Sequence, residues 1–458
     1  MTPAFAETCL DRAMPPTELL IGPATLITNH AATGIMPDAA VVCADGLVKA
    51  VGPFAELRQA HASARHLDAE GKVVMPALVN AHHHLYSTFA RGMPIASGTP
   101  LRNFKEVLEG IWWRLDRALD LEAVQAGAWP PVLDSLRWGA GTVLDHHASP
   151  RAIRGSLEAL AAVCSACGMR AALCYEITDR NGIEDAVLGL EENLSFLTRK
   201  PTPDLRGLIG LHASFTVSDE TLALVQRTAP GDVPVHIHVA EDASDTKHAR
   251  KRHGCGVVDR LEAHGLLRPR SVLAHGVHLK DEELKKIAKA GAFLVHNPES
   301  NANNAVGALD LLHAMELGVS VAVGTDGMAS NMLRAAKSAY LMARHVRKDP
   351  GTGIDLCRRL LLDTNMQLAR ALFGNPRIGM LAPESPADVI VVDYVPPSPL
   401  TAGTLDGHLT FGITESPIVA TVTGGVVRLD RKGLQGVDLQ KVRKRVDAAC
   451  AGVWKRLG

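Results

Sequence analysis

Val73-Val74-Met75-Pro76-Ala77-Leu78-Val79-Asn80-Ala81-His82-His83-His84 is a nearly unbroken apolar run that ends in three histidines. Runs of this kind read as strands buried on both faces of a parallel sheet. Seven more follow the same plan. Thr142–Leu144 ends in Asp145-His146-His147, Arg170–Cys174 in Tyr175-Glu176, and Leu208–Leu211 in His212. Val233–His238 leads into Glu241, and Val272–Ala274 ends in His275. Ala292–Val295 ends in His296-Asn297, and Val319–Val323 leads through Gly324-Thr325 to Asp326. Helical stretches alternate with them, among them Leu121–Arg137, Ala152–Cys167, Asp219–Arg227, Asp281–Ala290 and Met332–Arg347. Strand and helix in alternation describe βα units. Eight such units, with histidines and carboxylates at the strand ends, predict an α/β fold, a (β/α)8 TIM barrel whose chemistry converges on one mouth.

Both ends of the chain have a different texture. Leu19–Leu26, Asp38–Cys43 and Leu47–Val51 are short β-like segments with turns at Ala44-Asp45-Gly46 and Gly52-Pro53. The same texture returns in Ala387–Asp393, Ile418–Thr423 and Val426–Leu429. Each end alone is too small to bury a core. The expectation is one small β-sandwich domain built from both. Residues 1–72 form its N-terminal part, 73–380 the barrel, and 381–458 its C-terminal part plus an amphipathic terminal helix over Leu439–Leu457.

A formal net charge of −1 over 458 residues leaves no basic footprint, so nucleic acid is not an expected partner. No apolar stretch approaches a membrane span, and Met1–Pro16 lacks the basic and apolar regions of a secretory signal. A cytoplasmic homodimer acting on a small molecule is expected. Cys164-Ser165-Ala166-Cys167 has metal-like spacing but no second pair, and reads as buried free thiols in an Ala-rich helical segment.

On an extended strand His82 and His84 fall on one side and His83 on the other. A second His-x-His, His236-Ile237-His238, and the carboxylate of Asp326 stand at the same rim. Three imidazoles and one carboxylate suit one divalent metal ion, zinc first, with iron and manganese as alternatives, and leave a position for water. Glu241, three residues beyond His238, is placed to serve as general base without ligating the metal. His275 either hydrogen-bonds the attacking hydroxide or is a further ligand. His212 is a substrate contact or a supporting histidine. One of Asp145, His146 and His147 lines the pocket; Asp145 and His147 are carried forward as substrate contacts, with Trp112 and Asn297.

At these residues the chain resembles the amidohydrolase superfamily. The likeness is to its branch of metal-dependent aminohydrolases, which includes cytosine, guanine and adenosine-type deaminases and triazine hydrolases. The resemblance rests on Asn80–Gly92, Trp112–Asp116, Asp145–Pro150, Leu211–Thr216, His236–Glu241, His296–Asn301, Gly324–Met328 and Ala387–Tyr394. It implies that His82, His84, His238 and Asp326 hold the metal and that Glu241 is the proton shuttle. It further makes His275 the partner of the attacking hydroxide, Asp326 a catalytic group as well as a ligand, and His212 a substrate contact. No lysine stands at the end of the third or fourth run, where two-metal relatives carry a carbamylated bridge; Glu176 and His212 stand there, which favours one metal. Gly276 departs from the pattern, replacing a cysteine next to His275.

The expected activity is hydrolytic deamination of a purine- or pyrimidine-like nitrogen heterocycle, a cyclic amidine. Its enzymatic rival uses the same machinery for ring-opening amide hydrolysis or displacement of an alkylamine or halide. A rival of another class is a catalytically inactive protein that binds metal or ligand, against which the retention of Glu241 argues.

Overall fold

The computed structural model describes residue 9 and residues 18–95 and 101–457. Met1–Pro16, apart from Cys9, lies outside the described residues. The strands of the N-terminal part are β1 (Leu19–Ile27), β2 (Ile35–Ala44), β3 (Leu47–Pro53), β4 (Arg65–Leu67) and β5 (Val73–Pro76). The run that opens the sequence reading thus divides at Ala77, and its second half is β6 (Leu78–His84). Both halves are fully buried, so their residue pattern does not mark the break.

Beyond β6 follow β7 (Ala140–His147), β8 (Arg170–Tyr175), β9 (Leu205–Gly207), β10 (Ile209–Ala213) and β11 (Val235–Val239). Next come β12 (Val272–His275), β13 (Phe293–His296), β14 (Ser320–Val323) and β15 (Asp326–Gly327). The chain closes with β16 (Val389–Val392), β17 (Ile418–Thr423), β18 (Val426–Asp430) and β19 (Gly433–Leu434).

All eight apolar runs are strands. They form two five-stranded parallel sheets, β15-β6-β7-β8-β9 and β10-β11-β12-β13-β14, in a mixed α/β architecture. Backbone bonds link the two sheets on both sides. Ile177 N donates to Gly210 O (3.1 Å) and His212 N to Ile177 O (3.0 Å) on one, and Thr325 N donates to His82 O (3.2 Å) on the other. Helices Leu121–Arg137, Asp281–Ala290, Met332–Arg347 and Leu439–Leu457 fall where the periodic pattern put them. The stretch 152–167 shortens to Ser156–Ala166 because Gly155, at φ +81°, turns the chain just before it.

The two ends of the chain meet in one nine-stranded sheet, ordered β19-β18-β17-β16-β5-β1-β2-β3 with β4 beside β1. Where a two-layer sandwich was expected, the hydrogen-bond ladders run through this single sheet. The reason is β5, which offers one edge to β1 and the other to β16, with Val389 opposite Pro76 and Val392 opposite Val73. Leu19, Ile21, Val41, Val389, Val391 and Val422 share its core. The sheet sits against the amino ends of the parallel strands. Arg170, opening β8, pairs with Asp388 at 2.6 Å, and Gly139, just before β7, lies against Ile390 so closely that a Cβ there would approach it at 3.0 Å. The carboxyl ends of the strands are left for chemistry.

Cys164 and Cys167 are both buried and free, and burial pushes their thiols up, Cys167 to about 12. Thiols held protonated are poor metal ligands. Among the described residues no helix is long and apolar enough to cross a membrane.

Candidate active site

Alternation on β6 decides which histidines work together. His83 turns away and its Nε2 lies 3.2 Å from Ser330 Oγ. His84 Nδ1 donates to the His146 carbonyl (2.5 Å), and His238 Nδ1, on β11, donates to the His212 carbonyl (2.9 Å). A carbonyl oxygen only accepts, so each ring carries a proton on Nδ1 and turns Nε2 inward. The two Nε2 atoms are 3.1 Å apart. His82 is held through Nδ1 by His236 Nε2 (2.8 Å), and its Nε2 is buried with no hydrogen-bond partner. Asp326 Oδ1 stands 3.0 Å from His84 Nε2 and 3.7 Å from His82 Nε2.

Four acceptor atoms converging in a buried site call for a cation. A tetrahedral ion with bonds of about 2.1 Å holds its ligands about 3.4 Å apart, a spacing that these distances bracket. The protonation preferences agree. Burial lowers the His84 imidazole, but the hydrogen bond and charge of Asp326 outweigh it and raise the group to about 9, so the spot favours positive charge. Burial first, and neighbouring imidazoles second, hold His82 and His238 well below their usual range, which leaves lone pairs for a metal. His82, His84, His238 and Asp326 therefore fit a divalent metal.

Glu241 lies just past β11, after Ala240 at φ +47°. Its Oε1 accepts from Asn304 Nδ2 (3.1 Å), and its Oε2 is 3.5 Å from His275 Nε2. Burial pushes its carboxyl above the usual range, which suits a group that must both take and return a proton. His275 ends β12, with Nδ1 2.7 Å from Asn301 Oδ1 and a buried, unpartnered Nε2 that also faces Asp326 Oδ2 at 3.6 Å. His275 and Asp326 have φ of +75° and +58°. Non-glycine residues in the left-handed region are strained, and such strain gathers at functional sites.

These groups open on a cavity of about 380 Å³. An aromatic wall of Trp112, Trp113, Phe104 and Phe215 lines it, together with the carboxylates of Glu241 and Asp326. Phe104, Trp112 and Trp113 belong to residues 104–118, in which a π-helical turn, Leu108–Trp112, separates two short α-helical pieces. Such turns recur at functional sites. Trp112 lines the cavity. So does His212, whose Nδ1 is 2.6 Å from Thr216 Oγ1 and whose ring meets Trp113 edge-on at 6.2 Å.

Three expected substrate contacts do not line the cavity. Asp145 pairs in register with His83, so both face away from the metal site, and its Oδ1 accepts from Leu85 N (2.6 Å). His147, two residues on, shares that side, with Nε2 2.9 Å from Ser149 Oγ. It is His146 that turns inward, donating from Nε2 to Leu211 O (3.0 Å). Asn297 is buried beneath Gly324, where a Cβ would come within 2.7 Å of its Oδ1.

Several supporting residues escaped the sequence reading. Ser300 Oγ donates to Asp326 Oδ2 (2.6 Å), one helical turn before Asn304, so a single helical face steadies both carboxylates of the site. Pro298 at a helix start followed by polar residues four apart was the available signal. Arg180 bonds Asp116 (2.5 Å) and Glu176 (3.1 Å) and stacks over Trp113 at 5.3 Å. Burial pushes Glu176 to about 7 despite that arginine.

A parallel α/β fold that gathers three imidazoles, one carboxylate and a separate part-buried glutamate at its strand ends is that of a metal-dependent hydrolase. The chain belongs to the amidohydrolase family, whose sequence pattern matches residues 73–428. A shorter match, residues 39–64, is to the imidazolonepropionase-like composite domain of bacteria. Over 418 residues the chain is 32% identical to a 5-methylthioadenosine/S-adenosylhomocysteine deaminase of Nitratidesulfovibrio vulgaris, covering 90% of this chain and 92% of the relative. Over 440 residues it is 29% identical to a 5'-deoxyadenosine deaminase of Methanosarcina barkeri, covering 94% and 97%. An adenosine deaminase from Xanthomonas campestris, solved with bound zinc, superposes with a TM-score of 0.80 at 24% identity over 96% of this chain and 99% of that one. At that identity the likeness speaks for the fold.

Proposed function

We propose that the protein is a hydrolase of carbon–nitrogen bonds other than peptide bonds, which deaminates a purine-like heterocycle of the adenosine type. The observation that carries the proposal is Glu241, a part-buried carboxyl with a raised proton affinity, lining the cavity beside His275 and the converging donors of His82, His84, His238 and Asp326. The names of the relatives, adenosine-type deaminases, support the same substrate class.

A metal held by those four residues, zinc first and a single ion, would lower the pKa of a bound water towards neutrality. The chain's own groups do the rest. The aromatic wall of Trp112 and Trp113 orients the ring and excludes water. Glu241 accepts a proton from the attacking water as its oxygen adds to the carbon bearing the exocyclic amine. It returns that proton to the adjacent ring nitrogen. The proton left on the added oxygen then passes through Glu241 to the amine, the carbon–nitrogen bond breaks, ammonia leaves and the ring keeps the oxygen as a carbonyl. His275 orients the attacking oxygen, and Asn304 and Ser300 keep the two carboxylates in place.

The proposed organisation is a (β/α)8 barrel over residues 78–380, with β1–β5 and β16–β19 joined in the one sheet of a small β domain. The backbone bonds at Ile177 and Thr325 support closure of the two parallel sheets into the barrel. A cytoplasmic homodimer is part of the proposal, to be checked by light scattering and fractionation. The function itself is tested by ammonia release from metal-loaded protein offered aminated purines, pyrimidines, pterins and triazines. Turnover of an adenine nucleoside is expected. Release of chloride or an alkylamine with no ammonia overturns it.

A further inference from the structure

The aromatic wall of the cavity is held from behind by the helix Leu439–Leu457. Arg456 Nε donates to Ala118 O (2.6 Å), the last carbonyl of the helix Trp113–Ala118, and Arg456 Nη1 pairs with Asp120 at 2.9 Å. Asp120 also accepts from Ala123 N (2.9 Å) and so caps Leu121–Arg137. A single guanidinium thereby clamps the joint between the wall and the long helix that follows it, a charge-assisted bond at a helix C-terminus. The wall answers in kind, as Arg114 Nη2 donates to Leu457 O (2.6 Å). Trp454 Nε1 donates to Phe89 O (3.1 Å), within the turn Leu85–Ala90 that follows His84. Between these bonds Val453 is fully buried, in one core with Phe89, Leu115 and Leu119. No residue of the helix lines the cavity.

The same short segment thus presents Trp112 and Trp113 to the cavity on one side and is bonded to the 439–457 helix on the other. A π-helical turn in its middle replaces the α-helical hydrogen-bond pattern by the wider i→i+5 one. We infer that Trp454 and Arg456 are positioning residues of the active site, which set the stance of the aromatic wall and hence substrate affinity without touching substrate. Preorganising a binding wall raises affinity by lowering the cost of ordering it on binding. The inference rests on the reading that the cavity takes a planar purine-like ring, which the wall stacks against.

The test uses the metal-loaded full chain carrying Arg456→Ala or Trp454→Phe. Losing one such bond is expected to raise KM by about three- to tenfold, with kcat within about twofold of wild type, because only uniform binding is removed. Metal content stays unchanged. Hydrogen–deuterium exchange quickens in residues 104–118 and 85–90 and stays the same in β10–β14. Arg456→Lys, which keeps the charge towards Asp120, recovers part of the affinity. Wild-type KM with unchanged exchange in both alanine and phenylalanine variants overturns the inference. Joint loss of kcat, metal and exchange protection throughout also overturns it, since the helix is then a general support. If the wild-type chain releases no ammonia from any aminated heterocycle, the substrate reading fails alone, and the exchange measurement still decides the positioning role.

Discussion

Replacing His236 by alanine removes a residue that never reaches the cavity, yet metal affinity should fall. His236 is fully buried, with Nε2 2.8 Å from His82 Nδ1 and its ring 5.0 Å from those of both His82 and His146. Without it, His82 Nδ1 is left in a buried site with no partner, at a cost of about 1–3 kcal/mol. At 1.4 kcal/mol per tenfold, that is roughly a five- to hundredfold loss of metal affinity, close to the range usual for the outer partner of a metal-bound imidazole. Chelator competition on the folded variant measures it, with thermal melting as the check on folding. His236→Gln, which keeps a hydrogen-bonding group on a shorter reach, should fall between alanine and wild type. A folded His236→Ala protein that binds metal within about twofold of wild type refutes the reasoning.

Glu241→Gln keeps the size of the side chain and its bond from Asn304 but cannot accept a proton; turnover should drop by about 10²–10⁴-fold with metal content unchanged, by kinetics and elemental analysis. Elemental analysis of the wild-type protein should give one transition metal per chain, and chelation should abolish activity and lower the melting temperature; a second tightly bound equivalent contradicts the single site. Burial pushes the Asp145 carboxyl up to about 7 from its ordinary 3.8, so the folded chain keeps a proton that the unfolded chain releases. This contribution is full below about pH 4 and is lost as pH rises through 7, a fall of about 4 kcal/mol. Asp145→Asn cannot ionise, so melting profiles from pH 4 to 8 should lose that share of the decline; an unchanged slope tells against it.

Much of the site was legible because period and chemistry coincide at the strand ends. His82 and His84 share a face by alternation, His238 repeats the spacing on another strand, and Asp326 and Glu241 follow apolar runs that could not themselves be catalytic. Residues that depend on register were not legible. Asp145 and His147 look as well placed as His146 until β7 is known to pair Asp145 with the outward His83. Asn297 reads as a site residue from its neighbours, but only the close approach of Gly324 reveals that it supports a backbone. The division of the first run at Ala77 was hidden because β5 and β6 are buried along their whole length, and burial erases the alternation that marks a strand's face. The contacts of Arg456 and Trp454 span more than 300 residues of sequence, a separation no local pattern records.

The central claim is tested most directly by running the reaction on an adenine nucleoside in ¹⁸O-labelled water with metal-loaded protein. One ammonia released per ring converted, with the label in the new ring carbonyl, is the expected result, and Glu241→Gln should form that labelled product far more slowly. Ring conversion without ammonia, an unlabelled product, or equal rates from the two proteins would contradict hydrolytic deamination through Glu241.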